Sequence, residues 1–143
     1  LWKRSKGEEN VIQRPVAVSL IVCETVIIDD QTRNITPVNC FRRRRVAGFP
    51  SEPFPFVVLA WLTDGMGQGR LEVVVQQLGA DEPEVVYRIS LPCQFTNPLD
   101  EVRLTIRIRD CVFPGAGAYD VILLADGEFL AHKRLILFSE LTS

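Results

Sequence analysis

Histidine is nearly missing from this chain: His132 is the only one in 143 residues, beside one methionine and two tryptophans. The four cysteines, Cys23, Cys40, Cys93 and Cys111, include no Cys-x-x-Cys pair. A zinc site draws on cysteines and histidines at short spacing, so no metal site is expected, and no cofactor motif is present. The longest apolar runs, Val16 to Cys23 and Phe54 to Leu62, fall well short of the roughly 20 residues that cross a bilayer as a helix. No membrane partner is expected. Neither charge dominates, with 16 basic against 18 acidic side chains and a net charge of −2. That balance argues against a globally basic nucleic-acid binder and against an acidic disordered chain. The opening Leu1-Trp2-Lys3-Arg4 lacks the charged start, apolar stretch and small-residue cleavage site of a secretory signal, so a cytoplasmic location is expected. The cysteines are accordingly read as reduced thiols, with Cys23, Cys40 and Cys111 acting as small buried hydrophobes in apolar runs.

What is present is ordinary globular composition, 47% hydrophobic and 24% charged. A chain of this length removes roughly 70% of its unfolded surface from water, enough for one self-sufficient core. Residues 1–14 are polar and aperiodic and read as a flexible arm. One domain is expected over 15–139, followed by a short tail at 140–143. Within the domain, β-branched runs alternate with Gly, Pro, Asn and Asp clusters, and no apolar period of helical length appears. The fold expected is all-β, a mainly antiparallel two-sheet β-sandwich of about eight strands, immunoglobulin-like in character. The strands fall at 16–29, 35–46, 55–63, 70–78, 84–91, 101–112, 119–125 and 128–138.

Alternation is clearest in the sixth strand. Val102, Leu104, Ile106 and Ile108 mark a core face, and Arg103, Thr105, Arg107 and Arg109 a solvated basic one. Phe56 to Leu62 is apolar on both faces, as expected of a central strand with its outer side covered by a loop or another chain. Asp126-Gly127 is the strongest hairpin signal, since a two-residue type I′ turn needs positive φ at both positions. Carrying that turn back without interruption sets Tyr119 opposite Arg134, Asp120 opposite Lys133 and Val121 opposite His132; a bulge near His132 would break this register.

Arg42-Arg43-Arg44-Arg45 is the most unusual run. In an extended strand Arg42 and Arg44 point one way and Arg43 and Arg45 the other. Arg42 and Arg44, with Arg103 and Arg107, form the candidate partner-binding set, a basic sheet face suited to phosphates or an acidic partner. Strand-end arginines paired to neighbouring Glu and Asp are the plainer reading. Asp29-Asp30, Asp64-Gly65 and Asp126-Gly127 are explained by turn chemistry, because no twelve-residue calcium loop surrounds them. Gly65-Met66-Gly67-Gln68-Gly69 and Gly115-Ala116-Gly117 join strand to strand, without the following helix or Gly-Lys-Ser/Thr of a phosphate loop, and read as turns. No Gly-x-Ser-x-Gly elbow is present, and no catalytic residue is assigned.

Two stretches carry a resemblance. Ile21-Val22-Cys23-Glu24 through Phe49-Pro50 and Phe54-Pro55-Phe56, then Cys111-Val112-Phe113-Pro114-Gly115-Ala116-Gly117-Ala118-Tyr119 and Ala125-Asp126-Gly127-Glu128, resemble a bacterial family of small β-sandwich proteins classed only as a domain of unknown function. The resemblance covers residues 16–138. It implies a sandwich and supplies no site residues. The functional expectation is therefore a non-enzymatic binding or assembly module acting through a sheet face or end loops. Its partner would be a protein or a second copy of the chain, with nucleic acid disfavoured. The alternative is a small hydrolase or ligand-binding enzyme using loop carboxylates such as Asp64 and Asp100 together with His132.

Overall fold

The computed structural model describes residues 13–79 and 81–140. Nine strands and no helix occur among them: β1 (Val16–Ile28), β2 (Ile35–Cys40), β3 (Arg43–Arg45), β4 (Phe56–Thr63), β5 (Gly67–Gln77), β6 (Glu84–Phe95), β7 (Val102–Ile108), β8 (Gly117–Ala125) and β9 (Glu128–Phe138). They form a four-stranded sheet ordered β2-β1-β4-β7 and a five-stranded sheet ordered β3-β9-β8-β5-β6. All pairings are antiparallel except β3 with β9. This is the expected all-β sandwich.

Period-two patterning decides which side chains meet between the sheets. Val22, Val58 and Ile106 lie in register across β1, β4 and β7 and are buried. Leu71, Val73, Val75, Val121, Leu123, Leu135 and Leu137 face them from the other sheet, each at most 1% exposed. Each such side chain contributes about 1.5–3 kcal/mol by leaving water. The inner set expected of the sixth strand is the one observed, with Ile106 and Ile108 buried and Arg103 and Arg107 exposed. β4 is an interior strand, and its outward Val57 and Leu59 are buried in a second small cluster with Cys23.

Four expectations need correction. First, the strand expected at 35–46 is two strands in two sheets. The chain bends at Arg42, and β3 joins the edge of the five-stranded sheet with Arg44 opposite Leu137. The Arg42 carbonyl accepts the Ile136 N–H at 2.7 Å, so β9 captures the segment. Second, the β8–β9 register holds only at Ala125 with Glu128 and Leu124 with Phe129; beyond Leu123 one extra residue on β9 shifts it, and Asp120 stands opposite Arg134 instead of Lys133. The gain from the bulge is visible in the Arg134 Nε to Asp120 Oδ1 bond of 2.6 Å. Third, Gly67 to Gly69 are strand rather than turn, paired with Phe95 and Cys93. Position 65 must lack a side chain, because a Cβ there would sit 2.7 Å from the Phe95 ring. β6 passes through Pro92 because it is an edge strand, where a missing N–H costs no ladder bond. Fourth, Cys40 is exposed, whereas Cys23 and Cys111 are buried as expected.

Residues 1–12 of the expected arm and 141–143 of the expected tail lie outside the described residues. Gln13 forms a bridge with Met66, and Arg14 an ion pair with Glu128.

Candidate functional site

The 46–55 segment and the turn before β8 build one end of the sandwich. Ser51 and Phe113 bind each other twice, Ser51 N–H to Phe113 O and Phe113 N–H to Ser51 Oγ, both at 2.9 Å. The Tyr119 hydroxyl donates to Gly115 O at 2.6 Å and accepts the Gly115 N–H at 3.1 Å, pinning the turn against the strand. Burial raises the Tyr119 hydroxyl above its ordinary pKa. Phe113 meets Tyr119 edge-on at 4.9 Å and stacks on Phe54 at 5.2 Å.

This aromatic support positions Arg44. Its guanidinium lies 4.7 Å from the Phe54 ring centroid and 5.2 Å from that of Phe41, a cation–π seat made of two rings. Glu24 Oε2 stands 3.7 Å from Arg44 Nη1, an ion pair too long for a hydrogen bond, and that nitrogen is buried with no hydrogen-bond partner. The same Glu24 oxygen accepts a 2.8 Å bond from Asn39 Nδ2. Arg43 and Arg45 point to the other face and approach the Phe138 ring at 4.8 and 5.8 Å, as alternation requires.

Arg44 lines a cleft of 580 Å³ with Arg107 and Arg109 from β7 and its extension. Three guanidinium groups share it with one carboxylate, Glu24. Neither Arg107 nor Arg109 forms an ion pair among the described residues. A neighbouring hollow of 490 Å³ shares Arg44 and continues along Arg45 to Phe54.

Of the four arginines singled out from the sequence, the fold therefore brings Arg44 and Arg107 together. Arg103 is four residues along β7 from Arg107, about 13 Å at strand rise. Its guanidinium sits over the Trp61 ring, 4.5 Å from the centroid, with its Nε donating to Glu101 at 2.8 Å. Arg42 occupies the bend between β2 and β3. Glu24 and Phe54 went unrecognised because their role depends on contacts with residues distant in sequence. The hydrolase set is spread out. His132 is exposed on the outer face of the five-stranded sheet beside Asp120 at 3.4 Å, whereas Asp64 and Asp100 lie in the β4–β5 and β6–β7 loops that connect the two sheets. Among the described residues no group of three or more His, Cys, Asp or Glu could hold a metal ion, and no helix is long and apolar enough to cross a membrane.

Comparison with solved structures shows likeness of fold. A β-D-glucoside glucohydrolase from Trichoderma reesei matches with a TM-score of 0.50 at 10% identity, over 87% of this chain and 19% of that one. A β-glucosidase from Listeria innocua, solved with isofagomine, gives a TM-score of 0.46 at 11% identity, over 88% of this chain and 16% of that one. The chain thus spans less than a fifth of either enzyme. No curated protein matches. The family of unknown function DUF6941 matches over residues 18–138, the span of both sheets, and the chain belongs to that family.

Proposed function

We propose that this chain is a non-enzymatic binding module whose contact site is the arginine cleft, taking an acidic segment of a protein partner. The observation that carries the reading is the seating of Arg44. Two aromatic rings fix its guanidinium, and its one nearby carboxylate is already hydrogen-bonded to Asn39. Arg107 and Arg109 add charge at the same place. Held guanidinium groups recognise carboxylates through paired N–H donors and lose little freedom on binding. A protein partner is favoured over nucleic acid because the whole chain is net negative.

The test is fluorescence anisotropy at low salt, with a fluorescein-labelled octaglutamate peptide and, in parallel, a labelled single-stranded RNA. Expected are peptide binding that weakens with salt and a loss of tenfold or more in Arg44→Glu and in Arg107→Glu, with Arg103→Glu nearly unchanged. RNA binding without peptide binding would overturn the proposal, as would equal losses in all three variants.

A further inference from the structure

We propose that Cys23 and Cys40 are a modification site at which a low-molecular-weight disulfide closes a reversible cross-strand bond, tying the edge strand β2 to β1. The two residues are direct register partners. Directly opposed residues of an antiparallel pair have Cα atoms about 4.5–5.5 Å apart, within the roughly 4.4–6.8 Å that a disulfide spans. Cross-strand bonds bracket the pair. Phe41 N–H donates to Val22 O at 3.2 Å on one side, and Asn39 Nδ2 reaches Glu24 at 2.8 Å on the other. Both thiols are free, and no other two cysteines are register partners among the described residues.

The partners differ in access, which sets the order of events. Cys40 is exposed at the end of an edge strand, and Cys23 is fully buried. Burial first, and then the charge of Cys40, raises the Cys23 thiol above its ordinary pKa. Cys40 therefore acts first. Its thiolate attacks one sulfur of the small disulfide, forming a mixed disulfide and releasing one small thiolate. The Cys23 thiol then loses its proton to solvent, and its sulfur attacks the Cys40 sulfur. The Cys23–Cys40 bond forms as the second small thiolate leaves. Two protein thiols are oxidised and one small disulfide is reduced to two thiols. Cys93 and Cys111 stay outside this exchange. Cys93 stands opposite Gly69, and burial, with Asp110 adding to it, pushes the Cys111 thiol up to about 12.

The experiment incubates the full chain with glutathione disulfide or with dithiothreitol, quenches in acid, alkylates, digests with trypsin and maps thiols by mass spectrometry. Arg33 lies between the two cysteines, so the cut peptides stay together only through the disulfide. Expected is a Cys23–Cys40 linked pair that dithiothreitol reverses, with Cys93 and Cys111 alkylated. The oxidised form should melt about 5–10 °C above the reduced one, because the bond constrains the unfolded chain. Both signals should vanish in Cys40→Ser, an exposed substitution, and persist in Cys93→Ser. A lasting glutathione adduct on Cys40 without the link overturns the proposal. So does an unmodified Cys40, or a link that Cys93→Ser abolishes.

Discussion

The two ends of β7 present the same residue type on the same face of one strand, and the outcomes differ. At one end Arg103 lies on Trp61 and bonds to Glu101, so its charge is met locally by neighbours two residues away in sequence and one strand away in space. At the other end Arg107 and Arg109 reach a cleft that β3 enters from the opposite sheet, bringing Arg44 with its aromatic seat. An arginine in a strand is therefore neither a surface ornament nor a site by its identity. The elements that converge beside it decide whether its charge is consumed or offered.

The hardest blow to that contrast is Phe113→Ala. Phe113 is fully buried and holds both Phe54 and Tyr119. Its loss is expected to lower unfolding free energy by about 3–5 kcal/mol in urea denaturation. Where the variant remains folded, peptide binding at the Arg44 end should fall, while Arg103, seated on Trp61, keeps its environment.

A second, smaller change comes from alkali. The Cys111 thiol, just beyond Arg109, is raised from 9.0 to about 12 by burial, with the charge of Asp110 adding to it. The folded state then binds a proton that the unfolded state releases more readily. Its stabilisation is complete below about pH 9 and is lost as pH rises toward 12. The urea midpoint of the wild-type chain should drop across that window, and the drop should be shallower in Cys111→Ala.

Charge reversal sharpens the comparison directly. Arg44→Glu should weaken the octaglutamate complex at least tenfold, or about 1.4 kcal/mol, against less than twofold for Arg103→Glu, both read by anisotropy. The smallest effect is on stability at the other end. Arg103→Ala should cost about 0.5–1 kcal/mol, for one exposed stacking contact and one surface ion pair. A loss several times larger would mean that Trp61 depends on the arginine for its own packing.

Much of the sandwich was legible along the chain because strand patterning is local. Alternation in 102–108 marked the buried row correctly, and Asp126-Gly127 marked the tight turn, where both residues take positive φ, 48° and 84°. The errors share one cause. The run 35–46 reads as continuous extended chain, yet hydrogen bonds from β9 divide it between two sheets. The β8–β9 register slipped by one at a bulge that rewards an Asp120–Arg134 pair, a preference invisible from the turn alone. Gly67 to Gly69 resembled a loop until Pro92 to Phe95 supplied the partner strand. Each required knowing what lies alongside.

By itself, then, the sequence determined the fold class, the tight turn at 126–127 and the inner face of the 102–108 strand, because burial period and turn chemistry act within a few residues. The tertiary structure alone decided which arginines share a cleft, which cysteines face each other and where one run of strand crosses between sheets. Those outcomes depend on hydrogen bonds and contacts between segments far apart in the chain. Arg44 and Arg107 are 63 positions apart by number and meet only because β9 holds β3 at the sheet edge while β4 holds β7 in the facing sheet.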